Sequence, residues 1–204
     1  VVRCFGATVL DGRCLCLVLE YASGGTLRNL VERFSPLPVA VATRIVKEMV
    51  SALVAVHAAG LVHCDLKLEN VLLRDDGSVA IADFGCARAS CVGEEGALVG
   101  TPQYMSPESI SDPSAAFSPK RDVWALGCCA ATLFTGAIPW AHLRFESKIP
   151  LMFHVGNAKP GELPFLPETL AALPPVMRSI VQDCFCHDIE KRPTAAKLLP
   201  LLDL

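Results

Sequence analysis

The hydrophobic residues at the start of the chain fall in two short runs, 1–10 and 13–19, separated by Asp11-Gly12. An Asp-Gly pair between two apolar runs is a strong local signal for a β-hairpin, so we predict two antiparallel strands here. A Ser-Gly-Gly sequence then interrupts the pattern. Thr26, which follows it, is well placed to cap a short helix over residues 27–34.

The next apolar residues have the spacing of an α-helix. Between residues 39 and 59 they recur every three or four positions, which predicts a long amphipathic helix with one buried face. Gly60 follows, where a glycine commonly ends a helix. The residues predicted to be buried are Ala42, Ile45, Val46, Met49, Val50, Leu53 and Val56.

A longer apolar run over residues 123–140 predicts the most buried helix of the chain. Glycines and a proline interrupt it, so its helical part is shorter than the roughly 20 residues of a membrane span. Residues 141–175 are repeatedly broken by proline and glycine, which predicts loops with short helices. Two further helices are predicted, at 176–186 and at 191–204.

A second hairpin is predicted in the middle of the chain. Residues 71–73 and 79–81 are apolar and flank an Asp-Asp-Gly turn sequence. Because a hairpin reverses the chain direction, it would bring Asp83 close to Asn70. Asp65 lies shortly before Asn70 in the sequence.

These residues, together with Lys67, would form a group of two carboxylates, a carboxamide and an ammonium. Carboxylate and amide oxygens are suited to binding Mg²⁺. A carboxylate can also orient an attacking hydroxyl, and a fixed cation can offset charge on a phosphoryl group in transfer. The group therefore predicts phosphoryl transfer from a metal-bound nucleotide.

Three motifs, in this order, resemble those of eukaryotic protein kinases. Residues 63–70 (HCDLKLEN) resemble the catalytic loop, 83–85 (DFG) the metal-binding turn, and 100–108 (GTPQYMSPE) the segment that ends in Ala-Pro-Glu. The resemblance covers nearly the whole chain and implies an α+β fold. We expect a mostly helical large lobe at 23–204, preceded at 1–22 by the hinge and two small-lobe strands.

The resemblance implies catalytic roles for three residues. Asp65 would orient the substrate hydroxyl and accept its proton, Lys67 would contact the γ-phosphate of ATP, and Thr101 would brace both. Asn70 and Asp83 would hold Mg²⁺ against the phosphates. The lysine two places after the aspartate, and Gly-Thr-Pro before Ser-Pro-Glu, resemble serine/threonine kinases rather than tyrosine kinases.

The resemblance also implies an adenine site. Leu19 matches the gatekeeper, the backbone from Glu20 to Ala22 would receive the adenine, and Leu72 would form the floor beneath it. The alternative for this stretch is an ordinary strand-to-helix connector. ATP and Mg²⁺ are the implied cofactors.

Two structural contacts follow from the same resemblance. Asp122 would hold the backbone of the catalytic loop from below, and a carboxylate in a first helical turn also suits the helix dipole. Arg192 would form a buried pair with Glu108, the alternative being a surface charge.

Within the kinases, residues 60–65, 83–88 and 122–128 are most similar to plant MAP kinase kinase kinases. This similarity implies a protein substrate, with a downstream MAP kinase kinase as the candidate. It also implies a cytoplasmic protein, with the nucleus as a second location.

Three features depart from the family pattern, and two of them are single residues. Cys64 stands where most kinases carry an arginine that binds an activation-loop phosphate, and a thiol cannot make those charge-assisted bonds. A mobile loop is predicted through residues 91–96, and we expect that phosphorylation of Ser90 or another hydroxyl of the activation loop does not act through the position of Cys64. Ser106 replaces the alanine of Ala-Pro-Glu, which exchanges one small residue for another.

The amino-acid composition limits which partners and which roles of cysteine are expected. The net charge of −3 gives no electrostatic reason to expect nucleic acid or an anionic membrane as a partner. The ten cysteines lack the paired spacing of zinc ribbons, so we interpret them as small buried hydrophobic residues in a reducing compartment.

Other functions stay open. The sequence has no glycine-rich phosphate loop and no strand lysine, so we expect a fragment or a truncated gene product. The missing loop and lysine favour a non-catalytic kinase lobe that docks partners. The presence of all four site residues favours catalysis; they are Asp65, Lys67, Asn70 and Asp83. A small-molecule kinase is a third possibility, which the peptide-docking segment at 100–105 disfavours.

We predict that residues 1–204 alone transfer little or no phosphate from ATP. Each missing charge-assisted phosphate contact costs about 1.5–3 kcal/mol, and correct placement of the γ-phosphate is lost as well. The measurement is the rate of phosphate transfer from ATP to a generic serine/threonine substrate, and the Asp83→Asn variant gives the background rate. A rate typical of complete kinases would contradict this expectation.

Overall fold

A computed structural model describes residues 1–90, 98–115 and 117–203. The β-strands are β1 Cys4–Leu10, β2 Cys14–Leu19, β3 Leu61–Val62, β4 Val71–Leu73, β5 Val79–Ile81 and β6 Arg88–Ala89. The α-helices are α1 Leu27–Phe34, α2 Val39–Ala58, α3 Pro107–Ser111, α4 Lys120–Thr135, α5 Lys148–Gly156, α6 Pro167–Ala171, α7 Pro175–Cys184 and α8 Ala195–Leu198. The strands form three antiparallel pairs, β1–β2, β3–β6 and β4–β5. The predicted α+β fold with a mostly helical large lobe is confirmed.

The N-terminal hairpin has the predicted turn. Asp11 and Gly12 both have positive φ, at 53° and 64°, and they are the central residues of a turn in which the Arg13 N–H donates to the Leu10 carbonyl at 3.1 Å. Most of its side chains are exposed, including Leu15 at 75% and Leu17 at 64%. The hairpin therefore lies outside the hydrophobic core.

Helices α1 and α2 follow the predicted pattern. The hydroxyl of Thr26 accepts from the Asn29 backbone N–H at 3.2 Å, and the Asn29 side chain accepts in return from the Thr26 N–H, which makes a capping box. All the positions of α2 predicted to be buried are buried. Gly60, at φ 73°, follows the C-cap of α2 in the left-handed conformation.

Helix α4 is the centre of the large lobe. Every residue from Arg121 to Phe134 is buried, and the helix packs between α2 and α7. A Cβ at Gly127 would lie 2.7 Å from the Cβ of Cys184, so only glycine allows α7 to approach this closely. Among the described residues, none of the helices is both long and apolar enough to cross a membrane.

The prediction of one helix over 191–204 was wrong. Helix α8 has only four residues and continues as a 3₁₀ turn over Leu199–Leu202. Two prolines explain the difference. Pro193 delays the helix so that Thr194 becomes its N-cap, and Pro200 has no N–H to continue an α-helical pattern.

The prediction of buried cysteines holds for part of the set. Four are buried: Cys64, Cys128, Cys129 and Cys184. The prediction was wrong for Cys4 and Cys14, which are exposed on the N-terminal hairpin because neither face of that hairpin is covered. Cys91 and the predicted loop at residues 91–96 lie outside the described part of the chain.

The predicted ion pair joins two distant segments. Nη1 and Nη2 of Arg192 donate to Oε1 and Oε2 of Glu108 at 2.6 and 3.0 Å, and Arg192 is fully buried. Burial raises the pKa of Glu108. The opposing effects, chiefly the hydrogen bonds and the charge of Arg192, are larger in total, so the pKa of Glu108 lies below its ordinary value. The pair stays ionised and holds α3 against the segment before α8.

We expect Arg192→Met to destabilise the fold by about 3–5 kcal/mol, because it leaves the Glu108 carboxylate buried without a counter-charge. The matched control is Arg28→Met, which breaks an exposed pair with Glu32 and should cost about 0.3–0.5 kcal/mol. The free energies of unfolding in urea give both values. Equal losses in the two variants would contradict a structural role for the buried pair.

Candidate active site

The catalytic loop is held from below by one carboxylate. Asp122, in the first turn of α4 and almost fully buried, accepts from the backbone N–H of His63 at 2.8 Å and of Cys64 at 3.0 Å. Cys64 has φ 68°, a conformation that non-glycine residues rarely adopt. The paired hydrogen bonds hold this strained residue in place, as the sequence predicted for Asp122.

His63 connects the catalytic loop to the Asp-Phe-Gly turn. Its ring Nε2 donates to the carbonyl of Ala82 at 2.9 Å, and its Nδ1 accepts from the Asp65 N–H at 3.3 Å. The ring also makes an edge contact with Phe84, with centroids 4.9 Å apart. A neutral imidazole with its proton on Nε2 satisfies both hydrogen bonds.

Asp65, Lys67 and Thr101 form a closed triangle of polar contacts. Lys67 Nζ lies 2.7 Å from Asp65 Oδ2 and 2.8 Å from Thr101 Oγ1. The Thr101 hydroxyl donates to Asp65 Oδ1 at 2.7 Å. The structure thus brings together the three residues predicted to be catalytic, although Thr101 is far from the others in sequence.

Asn70 is joined to the same carboxylate. Its Nδ2 donates to the backbone carbonyl of Asp65 at 2.9 Å and to Oδ2 of Asp65 at 3.2 Å. Both amide protons are therefore directed into the loop. Within the described residues no donor reaches the Asn70 side-chain oxygen, which leaves it available to a cation.

Asp83 is brought beside Asn70 by the β4–β5 hairpin. Val71 pairs with Ile81, and the N–H of Ala82 donates to the Asn70 carbonyl at 2.8 Å. Asp83 itself has φ 59° and ψ 72°, and its exposed carboxylate accepts from the Gly85 N–H at 3.3 Å. This left-handed conformation sets the direction of the carboxylate at the turn.

The segment that follows the residues predicted to receive adenine is joined to β4. The N–H of Gly24 donates to the Leu73 carbonyl at 3.0 Å, and the N–H of Leu73 donates to the Gly25 carbonyl at 2.8 Å. Thr26 forms an isolated bridge with Leu72, which is half-buried. Leu19, at the end of β2, is 44% exposed.

Comparison with known proteins agrees with this geometry. A family model described as the protein kinase domain matches residues 1–201. The chain belongs to the protein kinase domain family.

Relatives of this kinase domain include Mitogen-activated protein kinase kinase kinase 20 of Arabidopsis thaliana, which is 35% identical over 98% of this chain and 59% of the relative. Mitogen-activated protein kinase kinase kinase mkh1 of Cytospora mali is 33% identical over 91% of this chain and 10% of the relative. The yeast serine/threonine-protein kinase BCK1/SLK1/SSP31 is 33% identical over 90% of this chain and 12% of its own length. The chain thus spans less than two thirds of these relatives.

Two contacts of the kinase domain were missed by sequence reasoning. His57, in the last turn of α2, binds Oδ2 of Asp122 through Nε2 at 2.9 Å. Arg74 lies between β4 and β5 and donates to the carboxylate of Glu20 at 2.7 and 3.2 Å. Both pairs join residues more than fifty positions apart, so no local sequence pattern predicts them.

The Arg74–Glu20 pair fastens the residue after β2 to the connection between β4 and β5. Glu20 also accepts from the Arg3 backbone N–H at 2.8 Å, and Arg74 donates to the Val1 carbonyl at 3.2 Å. The Arg74 hydrogen bond, with help from the Arg3 N–H, lowers the pKa of Glu20 from its ordinary 4.5 to about 2. The side chain of Glu20 is therefore a structural anchor in this site.

The depressed pKa of Glu20 predicts a pH-dependent contribution to stability. Because the folded-state pKa is below the unfolded value of 4.5, the contribution is complete above pH 4.5 and is lost as the pH falls toward about 2. The test compares urea midpoints of wild type and Glu20→Gln from pH 6 downward. Their difference should be constant above pH 4.5 and shrink below it.

Glu168→Gln, in an exposed helical turn, measures the general effect of removing one surface charge. A Glu20→Gln difference that does not change with pH would show that the carboxylate is not held by Arg74.

Proposed function

We propose that this chain is the catalytic lobe of a protein serine/threonine kinase that transfers the γ-phosphate of ATP to serine or threonine hydroxyls of a protein. The observation that carries the proposal is the network of Asp65, Lys67 and Thr101, tied to Asn70. A carboxylate, an ammonium and a hydroxyl in mutual contact form a preorganised polar site. Catalysis of phosphoryl transfer depends mainly on such positioning and electrostatics.

Asp65 is the proposed group that orients the substrate hydroxyl and accepts its proton. Its two oxygens are fixed by Thr101 on one side and by Lys67 and Asn70 on the other. A carboxylate held on both sides cannot rotate freely, so it presents one direction to an incoming hydroxyl. The charge of Lys67, two residues away, is placed to offset negative charge on the γ-phosphoryl group.

The donor set at the other side of the site fits Mg²⁺. The Asn70 side-chain oxygen and the exposed Asp83 carboxylate are hard oxygen ligands on two adjacent segments. Magnesium bound there would neutralise phosphate charge and bridge the nucleotide to the protein. Leu19, the backbone of Glu20–Ala22, and Leu72 are the proposed adenine contacts.

The surface beside Thr101 supports a protein substrate. A cavity of about 390 Å³ adjoins this residue and is lined by apolar groups, such as Phe145 and Leu151, together with the cationic Arg144 and Lys148. A cavity of this size next to the catalytic triangle suits a peptide side chain. The relatives carry the name MAP kinase kinase kinase, so the proposed substrate is a MAP kinase kinase in such a cascade.

A non-catalytic docking lobe is the second candidate. The N-terminal hairpin favours it, because its apolar side chains Phe5 and Leu15 are exposed at 63% and 75%, and exposed apolar groups suit a protein partner. One experiment therefore distinguishes the two candidate functions. Phosphate transfer requires the triangle, whereas docking does not.

The test is phosphate transfer by the full-length protein that contains this chain, with Mg²⁺, ATP and a serine/threonine substrate. Asp65→Asn and Asp83→Asn should each lower the rate by about a hundredfold or more, because one removes the base and the other a metal ligand. Asp203→Asn, which breaks an exposed pair with Lys47, is the matched control and should keep the rate. Partner binding without any transfer by wild type would favour the docking lobe instead.

A further inference from the structure

Arg121 is a buried cation that the proposed reaction does not use. It precedes Asp122 in the first turn of α4 and is only 4% exposed. A charged side chain at this depth needs specific polar partners. Two of its partners lie on separate segments of the candidate active site.

A single nitrogen of Arg121 joins the two segments. Nη2 donates to the carbonyl of Cys64 in the catalytic loop at 3.1 Å and to the carbonyl of Val99 at 2.8 Å. Val99 lies just before Thr101, in the part of the chain that follows the loop predicted at 91–96. The guanidinium therefore connects the returning end of that loop to the residue before Asp65.

Arg121 and Asp122 together hold both ends of one strained residue. The N–H of Cys64 is bound by Asp122 at 3.0 Å, and its carbonyl is bound by Arg121 at 3.1 Å. At Gly100 the chain passes so close that a Cβ would lie 2.4 Å from that same carbonyl oxygen. The position of Thr101 thus depends on how Val99 and Gly100 are seated on Cys64.

The side chain of Cys64 contributes an apolar contact at this place. It is buried with Val62 and Phe117, and the side chain of Val99 packs against this cluster. Burial raises the pKa of the Cys64 thiol to about 11, so it is neutral at physiological pH. The position at which most kinases carry a phosphate-binding arginine is here a packing position.

We propose that Arg121 is a positioning residue that fastens Val99 to the catalytic loop and so places Thr101 against Asp65 and Lys67 without a bound phosphate. This inference rests on the proposed kinase function. In this chain the protein's own guanidinium, on α4, supplies the contact that a phosphate and the missing arginine supply elsewhere in the family. The planar guanidinium suits the role because its donors have fixed directions, which a lysine ammonium lacks.

The test measures phosphate transfer by the full-length protein with Arg121→Met and Arg121→Lys. Arg121→Met leaves two buried carbonyls without a donor, so kcat should fall about tenfold or more while KM for ATP changes by less than about twofold. Arg121→Lys, which can still reach one carbonyl, should give an intermediate kcat. Such a graded loss would distinguish a local effect of the side chain from misfolding of the variant. An unchanged kcat in Arg121→Met would overturn the proposal.

Arg178→Met is the matched control. Nη2 of Arg178 also donates to two backbone carbonyls, those of Ala171 and Leu173, but it lies away from the catalytic triangle. This variant should lower the melting temperature and keep kcat. An equal loss of kcat in both variants would mean that Arg121 acts through general stability, and the proposal would fail.

Two further measurements separate this inference from the proposed function. Hydrogen exchange of the amides of residues 62–65 and 98–100 should be faster in Arg121→Met than in Arg178→Met, even if wild type transfers no phosphate. Unchanged exchange would overturn the proposal. Phosphatase-treated wild type should keep its kcat within about twofold, and a loss that rephosphorylation restores would overturn the phosphate-independent placement.

Discussion

The carboxylate of Asp122 is the contact on which the rest of the active site depends. It lies on α4, the most buried helix, and accepts two backbone N–H groups of the catalytic loop and the ring of His57. A backbone donor left without a partner in this interior would cost about 1–3 kcal/mol. Because α4 is packed between α2 and α7, the carboxylate cannot move, and the loop that it holds is fixed relative to the core.

Above this base, the site is assembled from irregular backbone. Cys64 and Asp83 both have left-handed conformations, which cost energy for residues other than glycine. Cys64 is held by hydrogen bonds from α4, and the Asp83 carboxylate accepts from the Gly85 N–H of its own turn. His63 links the two segments through Ala82. The buried helices therefore provide rigidity, while the short loops provide the directions in which the polar groups point.

The N-terminal hairpin is joined to the large lobe in a different way. Its apolar side chains are mostly exposed, and a few polar contacts hold it, chiefly the Arg74–Glu20 pair and the bond from the Val2 N–H to the Ile81 carbonyl. Because few contacts hold it, this part of the structure is weakly held, whereas Asp65, Lys67 and Asn70 lie on a loop that Asp122 joins to the core.

The sequence by itself determined the local elements and the candidate chemistry. Hydrophobic spacing predicted the buried face of α2, and Asp-Gly and Asp-Asp-Gly predicted both hairpins. Two short motifs, at residues 63–70 and 83–85, supplied the candidate residues Asp65, Asn70 and Asp83. Only the tertiary structure decided how distant segments meet. The contacts of His57 with Asp122 and of Arg121 with Val99 join parts of the chain that no local pattern connects. Periodicity reports which face of one element is buried, but it carries no information about which residue of another element will face it.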